Sequence, residues 1–454
     1  MSDKELNLQL SQNTQKMTSL PYEYTDKKIS PWGGLIALES FFGKCGLREE
    51  IRRLNWHPPG SGRGILHYEL IESFMVSSLL GAKRFSESSA LRFDTTVQKI
   101  FGWKDGMADQ STLSRFFRKY DQQSSDEMFT ALNRWWFEQL QVGTLTLDID
   151  STVITRFGKQ EGVKKGYNAR YKGRGSHHPL MAFIPELKLV ANSWMRPGNS
   201  SSSSDFSMFL EQTLEMVPKE RIGLVRADSG FCGDNVLFYL EKQALHYIIA
   251  MKLNGSIASQ IVAQKGWLTA RDGLEYCSFD YKAQGWKAAR RLVVVRKDTG
   301  KLPHASGRTL FSEYDEYGRY RYSVFVTNTK LSASMVWDLY RHRAEAENQI
   351  KELKDDFGLD GFASSSMDAT EFAFRWVTVS YNLMSLYKIM VLRNKIIPRQ
   401  STLRYNCIAI GSYLVRSSRK TRLKLSVQGK KRDFIDKLFQ NLDEYKLGMP
   451  IPIA

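Results

Sequence analysis

The sequence predicts an α/β protein in which an all-α N-terminal block precedes a sheet-forming core. Three observations carry that prediction. Apolar residues recur at helical spacing up to about residue 140, the heptapeptide Thr144 to Asp150 (TLTLDID) then alternates strictly as a strand does, and strand and helix patterns take turns as far as residue 251. The 454 residues are enough for roughly three domains, so a sizeable core is available.

Residues 1 to 25 are polar and read as a disordered or frayed tail. Helical periodicity follows in LHYELIESFMVSSLLGA, SSALRFDTTVQKIFGW and SSDEMFTALNRWWFEQL, which together define a helical block over 26–140. Within it, Asp109-Gln110-Ser111-Thr112 is a capped helix start, with Ser111 or Asp109 to satisfy the free amides of the first turn. The short helix it opens fits either a helix-turn-helix reader or an ordinary surface helix. After TLTLDID come strand patterns at Leu180 to Ile184 and Leu187 to Ser193, joined by a turn at Pro185-Glu186. A helix from about Asp205 to Val217, a strand Ile222 to Asp228, a helix from about Asn235 to Gln243 and a strand His246 to Met251 complete this part. Three strands, helix, strand, helix, strand is the element order of the ribonuclease-H-like fold, here spanning 141–251. The stretch 252–330 is far longer than a connection needs to be. It holds Trp267, Trp286, the pattern RRLVVVR and a strand from Tyr322 to Asn328, and reads as a β-rich insertion. Core helices at Ser332 to Asp356 and Met367 to Leu392 occupy 331–395, and 396–454 is a basic C-terminal segment. Five serines, Ser200 to Ser204, read as a flexible loop.

Lysine and arginine number 65 against 48 acids, a formal charge of +17, which calls for a polyanionic partner. At 42% hydrophobic and 12% aromatic residues, the chain that carries this charge is folded. The four cysteines lie far apart and lack zinc-site spacing, as in a protein of a reducing cytosol. The N-terminus has no signal-peptide core, and the apolar run Trp376 to Leu392, interrupted by Tyr381, Asn382 and Lys388, reads as a buried helix rather than a membrane span. A cytoplasmic protein, nucleoid-associated when bound to DNA, is expected.

Two acids end strands: Asp150 before Ser151-Thr152, and Asp228 in VRADSGF. Ligands of open α/β sheets gather at the carboxyl ends of strands, so these acids can converge. Asp148 rivals Asp150, because a period of two puts both on one face. Downstream, Tyr340, Arg343, Glu347 and Lys354 fall within a sector of about 60° on one helix, with Glu345 and Glu352 on another side. Hard carboxylate oxygens suit Mg²⁺, and two divalent ions can activate the attacking oxygen and stabilise the leaving oxygen of a phosphodiester. Arg343 and Lys354 would grip phosphates.

The set LTLDIDST, VRADSGF and Tyr340-x-x-Arg343-x-x-x-Glu347 with Lys354 resembles the DDE transposases of bacterial insertion sequences. It is similar to the Tyr-Arg-Glu-Lys signature of the insertion-sequence-four superfamily, and GYNARYKGRGSHHPLMAF and RPGNSSSSSDF are most like the insertion-sequence thirteen-eighty family. The resemblance runs over roughly residues 110 to 420. It implies a catalytic, metal-binding triad of Asp150, Asp228 and Glu347 in a ribonuclease-H-like core, with Tyr340, Arg343 and Lys354 on DNA near the cleaved strand. It also implies Mg²⁺, with Mn²⁺ as an alternative and two ions per site. An insertion-domain tryptophan, Trp267 or Trp286, would stack on a flipped base.

Two basic clusters extend the DNA expectation. Arg156, Lys159, Lys164, Lys165, Arg170, Lys172 and Arg174 face one acid, Glu161, and interleave with Tyr167, Tyr171, His177 and His178. Arg416, Arg419, Lys420, Arg422, Lys424, Lys430, Lys431 and Arg432 have no acid among them. The helical block 26–140 is expected to bind DNA as well. The function expected is a cut-and-paste DNA transposase acting on terminal inverted repeats and target DNA as a homodimer in a synaptic complex. The alternatives are a stand-alone nuclease of the same fold and a non-catalytic DNA-binding regulator derived from a transposase.

Overall fold

The computed structural model describes residues 24–54, 57, 64–104, 106–270, 273–299, 315–393, 397–418 and 420–451. A two-residue strand, β1 (Ile29–Ser30), precedes the N-terminal helices, among them α1 (Leu35–Lys44), α2 (His67–Leu79), α3 (Gln110–Phe117) and α4 (Gln122–Gln139). Of the two candidate caps, Ser111 and Asp109, it is Asp109 whose side chain accepts from Thr112 N at 2.7 Å. Leu113, Phe116 and Phe117 turn α3 inward, which leaves Gln110, Ser111 and Arg115 on the surface.

The central sheet opens with β2 (Leu145–Ser151). A small three-stranded sheet follows at once, from β3 (Ile154–Thr155), β4 (Lys164–Lys165) and β5 (Gly175–His177) in the order β3-β5-β4. The chain then returns to the large sheet as β6 (Leu180–Ile184) and β7 (Leu189–Trp194). After α5 (Phe206–Met216) come β8 (Ile222–Ala227), α6 (Asp234–Lys242) and β9 (Tyr247–Met251). These five strands lie in the order β7-β6-β2-β8-β9, with β6 antiparallel to β2 and β7, and β8 parallel to β2 and β9.

The insertion strands β10 (Leu268–Thr269), β11 (Leu274–Tyr281), β12 (Arg290–Asp298) and β13 (Tyr320–Thr327) continue the same sheet, because β13 pairs antiparallel with β9 at Val324↔Met251. Among the described residues the result is nine strands in the order β10-β11-β12-β13-β9-β8-β2-β6-β7. RRLVVVR explains why the insertion stays attached. Leu292 and Val294 join the main core while Val293 and Val295 join a second core on the opposite face, so β12 is buried on both sides.

The single helix expected from Ser332 to Asp356 is two, α7 (Ala333–Arg341) and α8 (Ala344–Phe357). Between them Arg343 N bonds Tyr340 O at 2.9 Å and Ala346 N bonds Arg343 O at 3.0 Å, an i→i+3 pattern that tightens the turn and breaks the helical phase. Neither proline nor glycine marks the break. α7 lies on the second core, where its Val336 is buried and the Tyr340 ring sits 4.5 Å from Phe325 of β13. The insertion is therefore the floor under the start of the signature.

The long apolar helix α9 (Met367–Tyr387) is buried along its length. Two of the polar interruptions have assigned partners. Asn382 exchanges hydrogen bonds with the Val190 backbone (2.7 and 2.8 Å) and so covers edge strand β7, while Lys388 just beyond the helix pairs with Glu352 at 2.9 Å. No helix among the described residues is long and apolar enough to cross a membrane. The N-terminal helices do not form a core of their own: Phe117 and Phe129 meet Phe372 of α9 at 5.0 and 5.7 Å, and one continuous cluster of buried residues runs from Leu35 to Ile451. The basic segment folds as a hairpin, β14 (Ser412–Ser417) and β15 (Lys420–Leu425), followed by α10 (Lys430–Glu444). β1 pairs with β14, tying N- and C-terminal segments into one small sheet.

Two in-register residues of neighbouring parallel strands, Asp148 of β2 and Arg226 of β8, form a buried bidentate ion pair at 2.6 and 2.7 Å. A further Arg226 nitrogen donates to Leu339 O of α7. Removing one partner strands a charge inside the protein, so Arg226→Met is expected to cost about 3–5 kcal/mol in urea unfolding. Arg226→Met combined with Asp148→Leu is expected to recover most of that loss.

Candidate active site and DNA-facing surface

The Asp148–Arg226 pair decides which acid of LTLDID is available. Asp148 is engaged, and the next outward position on the same face of the sheet is Asp150 on β2, beside Asp228 at the end of β8. Asp228 leaves the strand through a tight turn in which its Oδ1 accepts from Gly230 N at 2.8 Å. A Cβ at Gly230 would stand 2.9 Å from the Ser202 side chain and 3.0 Å from Asp228 Oδ1, so the turn needs the small residue.

Arg343, at the α7–α8 junction, is buried and brings the signature to the sheet. Its guanidinium stands 3.1 Å from Asp150 Oδ1 and 3.7 Å from Glu347 Oε1. The Nε and Nη2 atoms are buried without a hydrogen bond of good geometry. The two acids differ sharply in freedom, for the Asp150 side chain is 11% exposed and that of Glu347 70%. Tyr340 Oη donates to Ala227 O at 3.3 Å, and burial pushes its phenol up to about 12. Lys354 Nζ donates to Thr152 Oγ1 at 2.7 Å and Val153 O at 3.0 Å, so it braces the chain just beyond Asp150. Burial lowers the Lys354 pKa, against the pull of Asp360 and Asp150.

Burial raises the Asp150 carboxyl from 3.8 to about 6; Arg343 opposes the rise, and Asp228 and Glu347 add to it. Three carboxylate charges thus act on one another here. The donor chemistry suits a hard divalent cation, since the Asp228 and Glu347 carboxylates both act on Asp150 and a cation would relieve that repulsion. The side chains are not gathered into a ready cage, because no group of three or more potential ligands stands at ligating distance among the described residues. Arg343 supplies the local positive charge instead.

Residues that sequence reasoning missed or assigned otherwise line the site's support. His177 Nε2 bonds Glu161 O at 2.8 Å and His178 Nδ1 bonds Ser200 O at 2.6 Å, so both are buried struts. Arg156, counted in the basic loop, is buried and donates to Asp360 O at 2.7 Å. The serine run is held in place. Buried Arg196 donates to Ser204 O at 2.7 Å, and Ser202 Oγ meets Ser151 Oγ, next to Asp150, at 3.0 Å. An arginine and a histidine flanking a serine-rich turn carry no sequence signal that would have revealed this.

The remaining basic residues divide by position. Lys164, Lys165, Arg170, Lys172 and Arg174 are exposed on the small sheet after β2. Arg416 is exposed on β14, and Lys420, Arg422 and Lys424 alternate along β15, sharing one face. Lys27 reaches that face, its Nζ 3.4 Å from the centre of the Tyr413 ring. Arg419 lies outside the described residues. Trp286 is buried, edge-on to Tyr281 and under Arg290, so it is a core residue unavailable for stacking. Trp267 has the Arg296 guanidinium 3.8 Å over its ring and would have to shed it to meet a base.

A family model described as transposase DDE domain group 1 matches residues 13–447. No curated protein matches the chain. Among solved structures, a piggyBac transposase synaptic complex with hairpin DNA is similar at 11% identity and a TM-score of 0.45, over 84% of this chain and 81% of that one.

An acid whose folded pKa lies above its unfolded value binds its proton more tightly when folded, so the stability it contributes is present below pH 4 and is lost as the pH rises through 6. The step from 3.8 to about 6 corresponds to ~3 kcal/mol. Asp150→Asn is therefore expected to be more stable than the parent near pH 7 by up to that amount. The difference should vanish below about pH 4 in urea unfolding with a chelator present.

Proposed function

The chain belongs to the DDE transposase family, and from that premise we propose that it is the DNA transposase of an insertion sequence of the insertion-sequence-four superfamily, most like the thirteen-eighty family. It binds the terminal inverted repeats, cuts them and joins the released 3′ hydroxyl to target DNA by in-line transesterification. The observation that carries this reading is the placement of Asp150 at the end of β2 and of Asp228 directly after the neighbouring parallel strand β8, near enough for their charges to interact, with Arg343 against Asp150 and Lys354 against the backbone that follows it. The strand order β7-β6-β2-β8-β9 and its directions support a ribonuclease-H-like core.

Asp150, Asp228 and Glu347 would hold Mg²⁺, two ions per site with Mn²⁺ as an alternative, whose chemistry is to activate the attacking oxygen and stabilise the leaving oxygen. The chain's own groups do the rest. Arg343 is set against Asp150 at 3.1 Å and Glu347 at 3.7 Å, and would share its guanidinium between these acids and a phosphate. Lys354 fixes the segment Thr152–Val153 and so the carboxyl end of β2. Tyr340 holds α7 to Ala227, one residue before Asp228. The basic surfaces at 164–174 and on the C-terminal hairpin grip the backbone of DNA, and two ends held together imply a homodimer.

Asp228→Ala and Glu347→Ala are expected to reduce strand cleavage to background in Mg²⁺ while end binding persists. Unchanged cleavage by both would refute the assignment. Joining of pre-cut ends to a target plasmid separates a transposase from a stand-alone nuclease. Replacing Lys420, Arg422 and Lys424 by alanine should weaken binding to all sequences alike. The slope of log affinity against log salt should flatten by about one for each phosphate that a removed cation had neutralised.

A further inference from the structure

The small sheet β3-β5-β4 begins four residues beyond Asp150 and carries three rings in water. Phe157 is 74%, Tyr167 75% and Tyr171 40% exposed. Phe157 and Tyr171 meet edge to face at 6.0 Å, with Arg174 5.8 Å over the first ring and Arg170 5.4 Å over the second. Burial of such rings is a main source of core stability, so three left outside on one element need a partner to cover them.

The element is rigid. Buried Asn168 donates to Thr155 Oγ1 at 2.9 Å and accepts from Tyr171 N at 2.9 Å, fixing the loop that holds Tyr167 and Tyr171. Gly166 and Gly198 pack so closely that a Cβ on Gly166 would stand 2.0 Å from Gly198 O, which joins this loop to the segment after β7. Arg156 and Glu161 tie it to the backbone at Asp360, Ser365 and Met367. It also adjoins the site, because the Arg170 charge is felt at Lys354, which itself bonds Thr152 and Val153.

We infer that this flap is a stacking platform for unpaired nucleotides next to the position of cleavage. Every base has a π-face, so exposed rings interleaved with cations recognise single-stranded nucleic acid with little regard to sequence. In duplex DNA the base faces are already stacked on one another, so rings at its surface find sugar, phosphate and base edges but no open base face. The occupant is therefore a melted or overhanging strand, its phosphates tracked by Lys164, Lys165 and Lys172. This inference rests on the DNA reading above. It gives base stacking to the flap in place of Trp267 and Trp286.

The test uses the full chain without divalent ions and two fluorescent probes of one sequence, a blunt duplex and the same duplex with a short single-stranded overhang containing a fluorescent adenine analogue. The parent should bind the overhang probe more tightly and quench the analogue. The variant with Phe157→Ala, Tyr167→Ala and Tyr171→Ala should lose the quenching and on the order of 5- to 150-fold of affinity per stacked base, with blunt-duplex affinity unchanged. Phe157→Trp with Tyr167→Phe and Tyr171→Phe keeps the rings and should keep both signals. Retention of preference and quenching by the alanine variant overturns the inference, as does their loss in Trp267→Ala alone. A parent that binds blunt duplex with no gain from the overhang also overturns it and leaves the DNA reading standing. A parent that binds neither probe removes both.

Discussion

The buried Asp148–Arg226 ion pair is the constraint on which the site depends. Taking two charges out of water costs several kcal/mol per ion, and the Coulomb attraction recovered inside returns about as much, so such a pair adds little net stability. It adds registry. β2 and β8 are locked with these residues opposite one another, and the third bond, to Leu339 O, locks α7 over the same point. A slip of one residue in either strand would break the ion pair and also turn Asp150 or Asp228 to the other face of the sheet. The ion pair thus holds the two carboxylates side by side from below, and Arg343 and Lys354 hold the same region from above.

Much of this arrangement is legible in the sequence, and the reasons are local. TLTLDID declares its face by alternation, VRADSGF declares a strand that ends at an acid, and the spacing of Tyr340, Arg343, Glu347 and Lys354 groups them. What is hidden depends on contacts between distant segments. Nothing in DID says that the first aspartate has a partner in VRA, since the pairing appears only when β2 and β8 become neighbours. The helix break at His342 and Arg343 is hidden for a different reason. Both residues are tolerated in a helix, and the tightening comes from Arg343 being drawn inward to Asp150 while α8 follows its own packing under α9. An unbroken helix therefore groups Tyr340, Arg343, Glu347 and Lys354 as the structure does, near the ends of β2 and β8, but for a partly wrong reason.

The insertion shows the same division. Its strand content follows from RRLVVVR and the Tyr322 to Asn328 pattern, but an alternating run cannot say which sheet it joins. Val324 pairing with Met251 makes the insertion an extension of the core, and Phe325 then becomes the surface on which Tyr340 rests. Tryptophans that look free in the sequence are consumed by this attachment. Trp286 fills the junction between β11 and β12, and Trp267 stacks under Arg296, whose guanidinium also stands 4.2 Å from the Tyr320 ring. Three of the rings that do remain in water, Phe157, Tyr167 and Tyr171, lie together on the flap after β2, where short strands of two or three residues have no second layer to bury them.

The electrostatic design follows from the same geometry. Much of the exposed positive charge sits on thin appendages, the flap and the C-terminal hairpin, whereas the positive charge set against the acids of the site is the buried Arg343 guanidinium. These two kinds of charge respond differently to solvent. Lysines on the hairpin are screened within about 10 Å at moderate salt, so any attraction they exert on a polyanion falls as salt rises. Arg343 is shielded from that screening, and its distance of 3.1 Å from Asp150 against 3.7 Å from Glu347 ties it more closely to the strand acid than to the helix acid. Asp150 is consequently fixed by the strand, by Arg343 and by burial, and Asp228 by its own turn. Glu347 alone of the three projects into solvent from a helix surface. The degree of freedom that the fold leaves open is therefore the position of the Glu347 carboxylate relative to two acids that are already in place.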